Sequence, residues 1–227
     1  MIRIRSWLVV AVAAMLSTAL IGAAEAQTQG QGPRGAGMNR GSLLGLASLE
    51  SVQKELKITD EQAAKLKEAA EKLRGEMREQ FTSVREIQDR AARGAKLAEL
   101  NKQLDEKAGQ QAREILAREQ VMRLYQIRLQ VRGNVYALNS RFIAARLKLT
   151  DEQKEKAAAI QKATEEKTAA AFTGLRDLDE NQRREKMAEM RTAMIKIRSD
   201  ADAQALGLLT AEQKEALEKA KGEKFEL

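Results

Sequence analysis

The heptapeptide LKITDEQ at Leu56–Gln62 returns as LKLTDEQ at Leu147–Gln153, 91 positions later. Each copy reads as a helix start. Thr59 is placed as an N-cap and Gln62 falls three residues on. The Thr hydroxyl can accept from the Gln amide, while the Gln side chain returns to the cap amide. Asp60 and Glu61 then occupy the first turn, where the helix dipole favours negative charge. Thr150 and Gln153 repeat the pattern, and so do Thr210 and Gln213 in LTAEQ, Leu209–Gln213. A fourth copy, LAREQ at Leu116–Gln120, carries Ala117 where the cap belongs.

The spacing turns these motifs into an architecture. Thr59 lies 58 residues before Ala117, and Thr150 lies 60 before Thr210. Thr59 lies 91 before Thr150, and Ala117 lies 93 before Thr210. The chain therefore reads as two units of roughly 90 residues, each with an early and a late motif. Residues 43–133 form the first unit and residues 134–227 the second.

From Leu43 onward there is no Pro, and Ala, Leu, Glu, Lys, Gln and Arg dominate. No stretch alternates like a strand. The class is all-α, built of elongated helical hairpins. Leu43–Leu56 is predicted as a leading helix. A long helix follows from Asp60 to about Arg93, roughly 50 Å in length. Its apolar stripe is Leu66, Leu73, Met77, Phe81, Val84, Ile87 and Ala91, and Gly94 is expected to end it. Leu97, Leu100, Leu104, Ala108, Ala112 and Ile115 mark a returning helix, and Val121–Val131 the next. In the second unit the leading helix is about Val135–Leu147. A long helix starts at Asp151 and breaks near Arg176–Asn181. The return carries Met187, Met190, Met194 and Ile197, and the last helix ends near Gly222.

Ahead of this repeat the composition changes. Arg3 and Arg5 precede an apolar run at Trp7–Ile21, and Ala24 and Ala26 stand where a cleavage site needs small residues. Residues 1–26 read as a signal peptide, cleaved near Ala26, which places the mature chain in the periplasm or outside the cell. An uncleaved membrane anchor is the alternative. Residues 27–42 are Gly-rich, contain the only Pro, and read as a flexible leader.

The chemistry available is narrow. There is no Cys and no His, so a transition-metal site would rest on carboxylates or thioethers. No nucleophile elbow, zinc-protease helix or phosphate-cradling Gly loop occurs. The expectation is a protein that is not an enzyme and has no cofactor. Asp177, Asp179 and Asn181 match the opening of a calcium loop, but Gln182 replaces its Gly and Ala188 its closing Glu. A turn with Asp179 as helix cap fits better. Met187, Met190 and Met194 share a face that suits core packing rather than Cu(I).

The chain carries 40 Lys and Arg against 33 Asp and Glu, net +7. The excess gathers in Arg113–Lys148. This segment holds Arg113, Arg118, Arg123, Arg128, Arg132, Arg141, Arg146 and Lys148 against Glu114 and Glu119. Leu124, Ile127 and Val131 form a core stripe. Met122, Tyr125 and Leu129 fall on another face, interleaved with Arg118, Arg128 and Arg132. Such a face suits the capture of unfolded chains, apolar atoms taking exposed hydrophobic segments and Arg taking rings and acids. It equally suits packing of one unit on the other, and the sequence leaves both open.

A helical, exported chain with paired LTxxQ motifs, at Ile58-Thr59…Gln62, Leu149-Thr150…Gln153 and Leu209-Thr210…Gln213, resembles the Spy/CpxP family of periplasmic proteins. The resemblance implies a cradle-like helical fold. It also implies ATP-independent binding of unfolded or stress-damaged envelope proteins. The rival expectation is a regulatory or structural adaptor for one envelope partner, such as a sensor protein. Family members typically carry one unit and dimerise, so two units imply a covalent pseudo-dimer that is mainly monomeric. Nucleic acid is not an expected partner, whereas an anionic envelope surface is compatible with the charge.

Overall fold

The computed structural model describes residues 41–172 and 179–226, and the expected signal peptide and most of the leader lie outside them. The described residues are helical, with no strand among them. Two short helices, α1 (Leu43–Ala47) and α2 (Glu50–Glu55), lead into α3 (Asp60–Ser83). A 3₁₀ turn at Val84–Glu86 precedes α4 (Arg90–Ile115). Next come α5 (Arg118–Asn139), α6 (Arg141–Arg146) and α7 (Asp151–Ala171). The chain closes with α8 (Glu180–Gly207) and α9 (Ala211–Lys221).

The repeated heptapeptide folds as one joint, twice. Leu56 ends α2, and Lys57 turns with φ of 51°. The Ile58 amide then reaches back to the Gln53 carbonyl at 2.9 Å, and the Lys57 amide to Lys54 at 3.2 Å. This is a Schellman closure, with a lysine in the left-handed position that glycine usually takes. Lys148, also at φ 51°, repeats it between Leu147 and Leu149. Ile58 and Leu149 turn into the core behind the joint. Thr59 and Thr150 then cap the outgoing helices, each accepting from the Gln amide at 3.2 Å. Thr210 caps α9 in the same way.

Some helix boundaries differ from the sequence expectation. The leading helix breaks at Ser48–Leu49, and its counterpart breaks at Ser140. The long helix of the first unit stops at Ser83, so α3 has 24 residues, about 36 Å. The chain turns there because Ile87 is extended and Asp89 caps α4, accepting from the Ala92 amide at 2.6 Å. Gly94 consequently lies inside α4. The break expected between Val131 and Val135 falls at Gly133, which interrupts α5 with φ 81° and ψ −176°.

Two clusters of buried side chains follow. The first runs from Leu43 to Ile127 and fills the α3–α4 hairpin with Leu66, Leu73, Met77, Val84 and Leu100. The second runs from Leu129 to Ala220 and packs around Leu138, Ile143, Leu147, Leu209 and Leu217. The end of the chain returns to the first cluster. The Gln130 side chain donates to the Lys221 and Glu223 carbonyls and accepts from the Phe225 amide, and Phe225 packs on the first cluster. Among the described residues no helix is long and apolar enough to cross a membrane.

Candidate functional site

The motif glutamines do more than cap. The Gln62 Nε2 donates to the Gln120 Oε1 at 2.9 Å, and the Gln120 Nε2 donates to the Gln62 Oε1 at 3.2 Å. The same nitrogens reach the ends of the preceding helices, Gln62 to the Ile115 carbonyl and Gln120 to Leu56. Their oxygens accept from the Thr59 and Ala117 amides. Gln153 and Gln213 form the identical clasp, at 2.8 and 3.0 Å, with the Leu208 and Leu147 carbonyls. Each clasp thus ties two helix starts to two helix ends, which satisfies groups that helix termini otherwise leave open. Gln120 belongs to the clasp even though Ala117 contributes no cap. Spacings of 58 and 60 residues were the sequence signal for these pairings.

A second constellation lies where α4, α5 and α7 meet. A groove of about 600 Å³ is lined by residues that include Lys102, Asp105, Arg113, Tyr125, Arg128 and Tyr136. Arg128 ion-pairs with Asp105 and donates to the Gly41 carbonyl at 3.1 Å. Arg132 reaches the same Asp105 carboxylate at 3.4 Å. Both guanidinium groups stack on the Tyr136 ring, Arg132 at 4.1 Å and Arg128 at 5.0 Å. Arg113 donates to the Tyr125 hydroxyl at 3.1 Å. One carboxylate therefore serves two arginines. Burial pushes the Arg132 guanidinium below its ordinary pKa, and the Arg128 charge pushes the same way. Burial also raises the Tyr136 phenol.

A second groove, about 400 Å³, adjoins the first and shares Arg132, Tyr136 and Gln161 with it. Its lining combines the apolar Val135, Met194, Ile195 and Ile197 with the charged Glu165, Arg198 and Asp202. Ile195 is 71% exposed. Between α7 and α8 a further trough of about 190 Å³ is lined by apolar Ile160, Ala193, Ile197 and Ala201 together with Lys167, Lys196 and Asp200, among others.

The structure divides the six residues that the sequence places on one face. Tyr125, Arg128 and Arg132 line the first groove. Arg128, however, is only 3% exposed, because Asp105 and the Gly41 carbonyl receive it inside the protein. Leu129 is 7% exposed and belongs to the second core cluster. Arg118 and Met122 are exposed but lie in neither groove. The single-face expectation is corrected accordingly. The methionine stripe is corrected too: Met190 is buried, whereas Met187 is 40% exposed. Asp179 caps α8, accepting from the Asn181 and Gln182 amides at 2.9 Å, while Asp177 lies outside the described residues. Sequence reasoning missed Lys102, Asp105, Tyr136, Ile195 and Arg198, which come from segments far apart in the chain.

Comparison with protein families matches part of the chain. Residues 135–221 fit the family described as LTXXQ motif family protein, consistent with the Spy/CpxP-like resemblance. No curated protein and no solved structure matches the chain.

Proposed function

With residues 135–221 carrying the unit of the LTXXQ motif family, we propose that this protein captures unfolded or stress-damaged envelope proteins without ATP. The family match supports a periplasmic, envelope-stress-related role. The finer reading rests on one observation. A basic, aromatic groove at Arg113, Tyr125, Arg132 and Tyr136 runs into an apolar groove at Met194, Ile195 and Ile197. An extended segment laid along both meets cations and ring faces first, then flexible apolar side chains. Methionine and isoleucine adapt to varied apolar sequences, and arginine takes acids and aromatic rings. The site requires no catalytic set, and we read the protein as a binding protein rather than an enzyme, acting as a monomer with its two units in one chain.

The test is suppression of aggregation of several unrelated denatured proteins by the mature chain. Suppression across unrelated clients is expected. Ile195→Ser should weaken it at all salt concentrations. Arg132→Glu should weaken it for acidic clients at low salt, through slower association, and less at high salt. Saturable binding of one partner, with no general suppression, would replace this reading with that of an adaptor.

A further inference from the structure

The interruption of α5 is held open by a different helix. Gly133 adopts φ 81° and ψ −176°, backbone that only glycine takes without strain. A Cβ there would come within 2.2 Å of the Asp202 carboxylate. The break leaves carbonyls ending one segment and amides opening the next. Helix α8 serves both. Arg198 donates to the Val131 carbonyl on one side, and Asp202 Oδ1 accepts from the Val135 amide at 2.9 Å on the other. The two residues are one turn apart on α8, and each charge has the sign the adjoining helix end favours. In the first copy the equivalent cap is local, since Ser42 accepts from the Gly45 amide at 3.1 Å. Gly133, 91 positions after Ser42, has no side chain to offer, and Asp202 supplies the cap from across the fold.

We infer that Arg198 and Asp202 form a clamp that sets the angle at Gly133, and that an acidic group entering the apolar groove opens it by withdrawing Arg198. The kink follows a stretch of α5 shared by the two core clusters, with Ile127 and Val131 on the first and Leu129 and Ala137 in the second. Nearby, Asn134 donates to the Asp202 carbonyl at 3.4 Å, while its buried Oδ1 has no donor among the described residues, so hydrogen bonding at the joint is incomplete. Arg198 also lines the groove with Met194, Ile195 and Arg132. There its partner is a neutral carbonyl, whereas a carboxylate carries the opposite charge and can take two guanidinium N–H groups in a bidentate pair. The opening step rests on the capture of acidic segments proposed above; the clamp itself does not.

The chain has no cysteine, so Glu79→Cys and Glu166→Cys place one spin label on each hairpin. The distance distribution between the labels is the readout, with poly-L-glutamate as the probe and poly-L-lysine as its control. The clamp predicts one narrow peak for the parent, and a broader distribution with a second population for Arg198→Ala and Arg198→Gln. Poly-L-glutamate should broaden the parent peak and leave Arg198→Ala unchanged. A folded, cooperatively melting Arg198→Ala with the parent distribution would overturn the clamp. Binding of poly-L-glutamate with an unmoved parent peak would overturn the opening step. Failure of poly-L-glutamate to bind would overturn capture of acidic segments and the opening step together, and leave the clamp standing on its variants.

Discussion

The α3–α4 and α7–α8 hairpins begin on nearly the same heptapeptide and fill their interiors differently. Shifted by 91 positions, Leu66, Leu73 and Met77 of α3 become Ala157, Thr164 and Thr168 of α7. Shifted by 93, Leu100 of α4 becomes Ala193 of α8. The first set is buried, whereas Thr164 and Thr168 are half-buried and Ala193 is exposed. Small side chains in the second hairpin leave the trough lined by Ile160, Thr164, Ala193 and Ile197. The joints and clasps are common to both copies. The first hairpin is packed, and the second leaves apolar surface exposed. The two copies thus differ in their hairpin interiors and agree at their shared ends.

The largest effect tests that contrast directly. Leu100→Ala gives the first hairpin the residue of the second and removes a fully buried side chain. The expected loss is about 3 kcal/mol by urea denaturation, from lost transfer energy and the cavity left behind. The converse, Ala193→Leu, should lose no stability, because it enters an open trough. It should also weaken client capture. Equal losses from both changes would show that the second hairpin is as tightly packed as the first.

The clasps are expected to respond equally in both copies. Gln120→Ala and Gln213→Ala each strip a partner from the opposite Gln, from a helix-end carbonyl and from a cap amide. About 2 kcal/mol is expected for each, since partly buried polar groups are left unpaired. Ala117→Thr should restore the missing cap and add about 1 kcal/mol, as Ala117 already has extended cap geometry with ψ 156°. A gain confined to thermal melting, with capture unchanged, would keep the motif structural.

Much of this was legible in the sequence because it is local. Helix caps and the all-helical class follow from residues a few positions apart, and the repeat from near-identical heptapeptides 91 positions apart. What escaped depended on distant partners. Arg128 reads as a surface residue until Asp105, 23 positions away, arrives beside it. Grouping Met122, Leu129 and Arg132 on one face assumed the usual helical partition of inside and outside. Leu129 instead points into the second cluster, next to the kink at Gly133. The α3–α4 turn was misplaced because Gly94 is the louder signal, while Asp89 caps without a Gln at the third position after it. Ile195 and Arg198 gained meaning only when α8 packed beside α5.

The smallest expected effect probes what the two copies share most closely. Lys57 and Lys148 both sit at φ 51°, a conformation that costs a side-chain-bearing residue about 1–2 kcal/mol. Glycine removes that cost but gives up about 0.5–1 kcal/mol through its freer unfolded chain. Both side chains point outward, so little packing is lost. The balance favours Lys57→Gly and Lys148→Gly, each by about 0.5 kcal/mol. Denaturant midpoints measured on the two single variants and the double variant resolve a gain of that size when the slope is unchanged. Equal and additive gains are expected, since the joints lie in separate core clusters. A gain at Lys57 alone would mean that the second joint, like the second hairpin, has departed from the first.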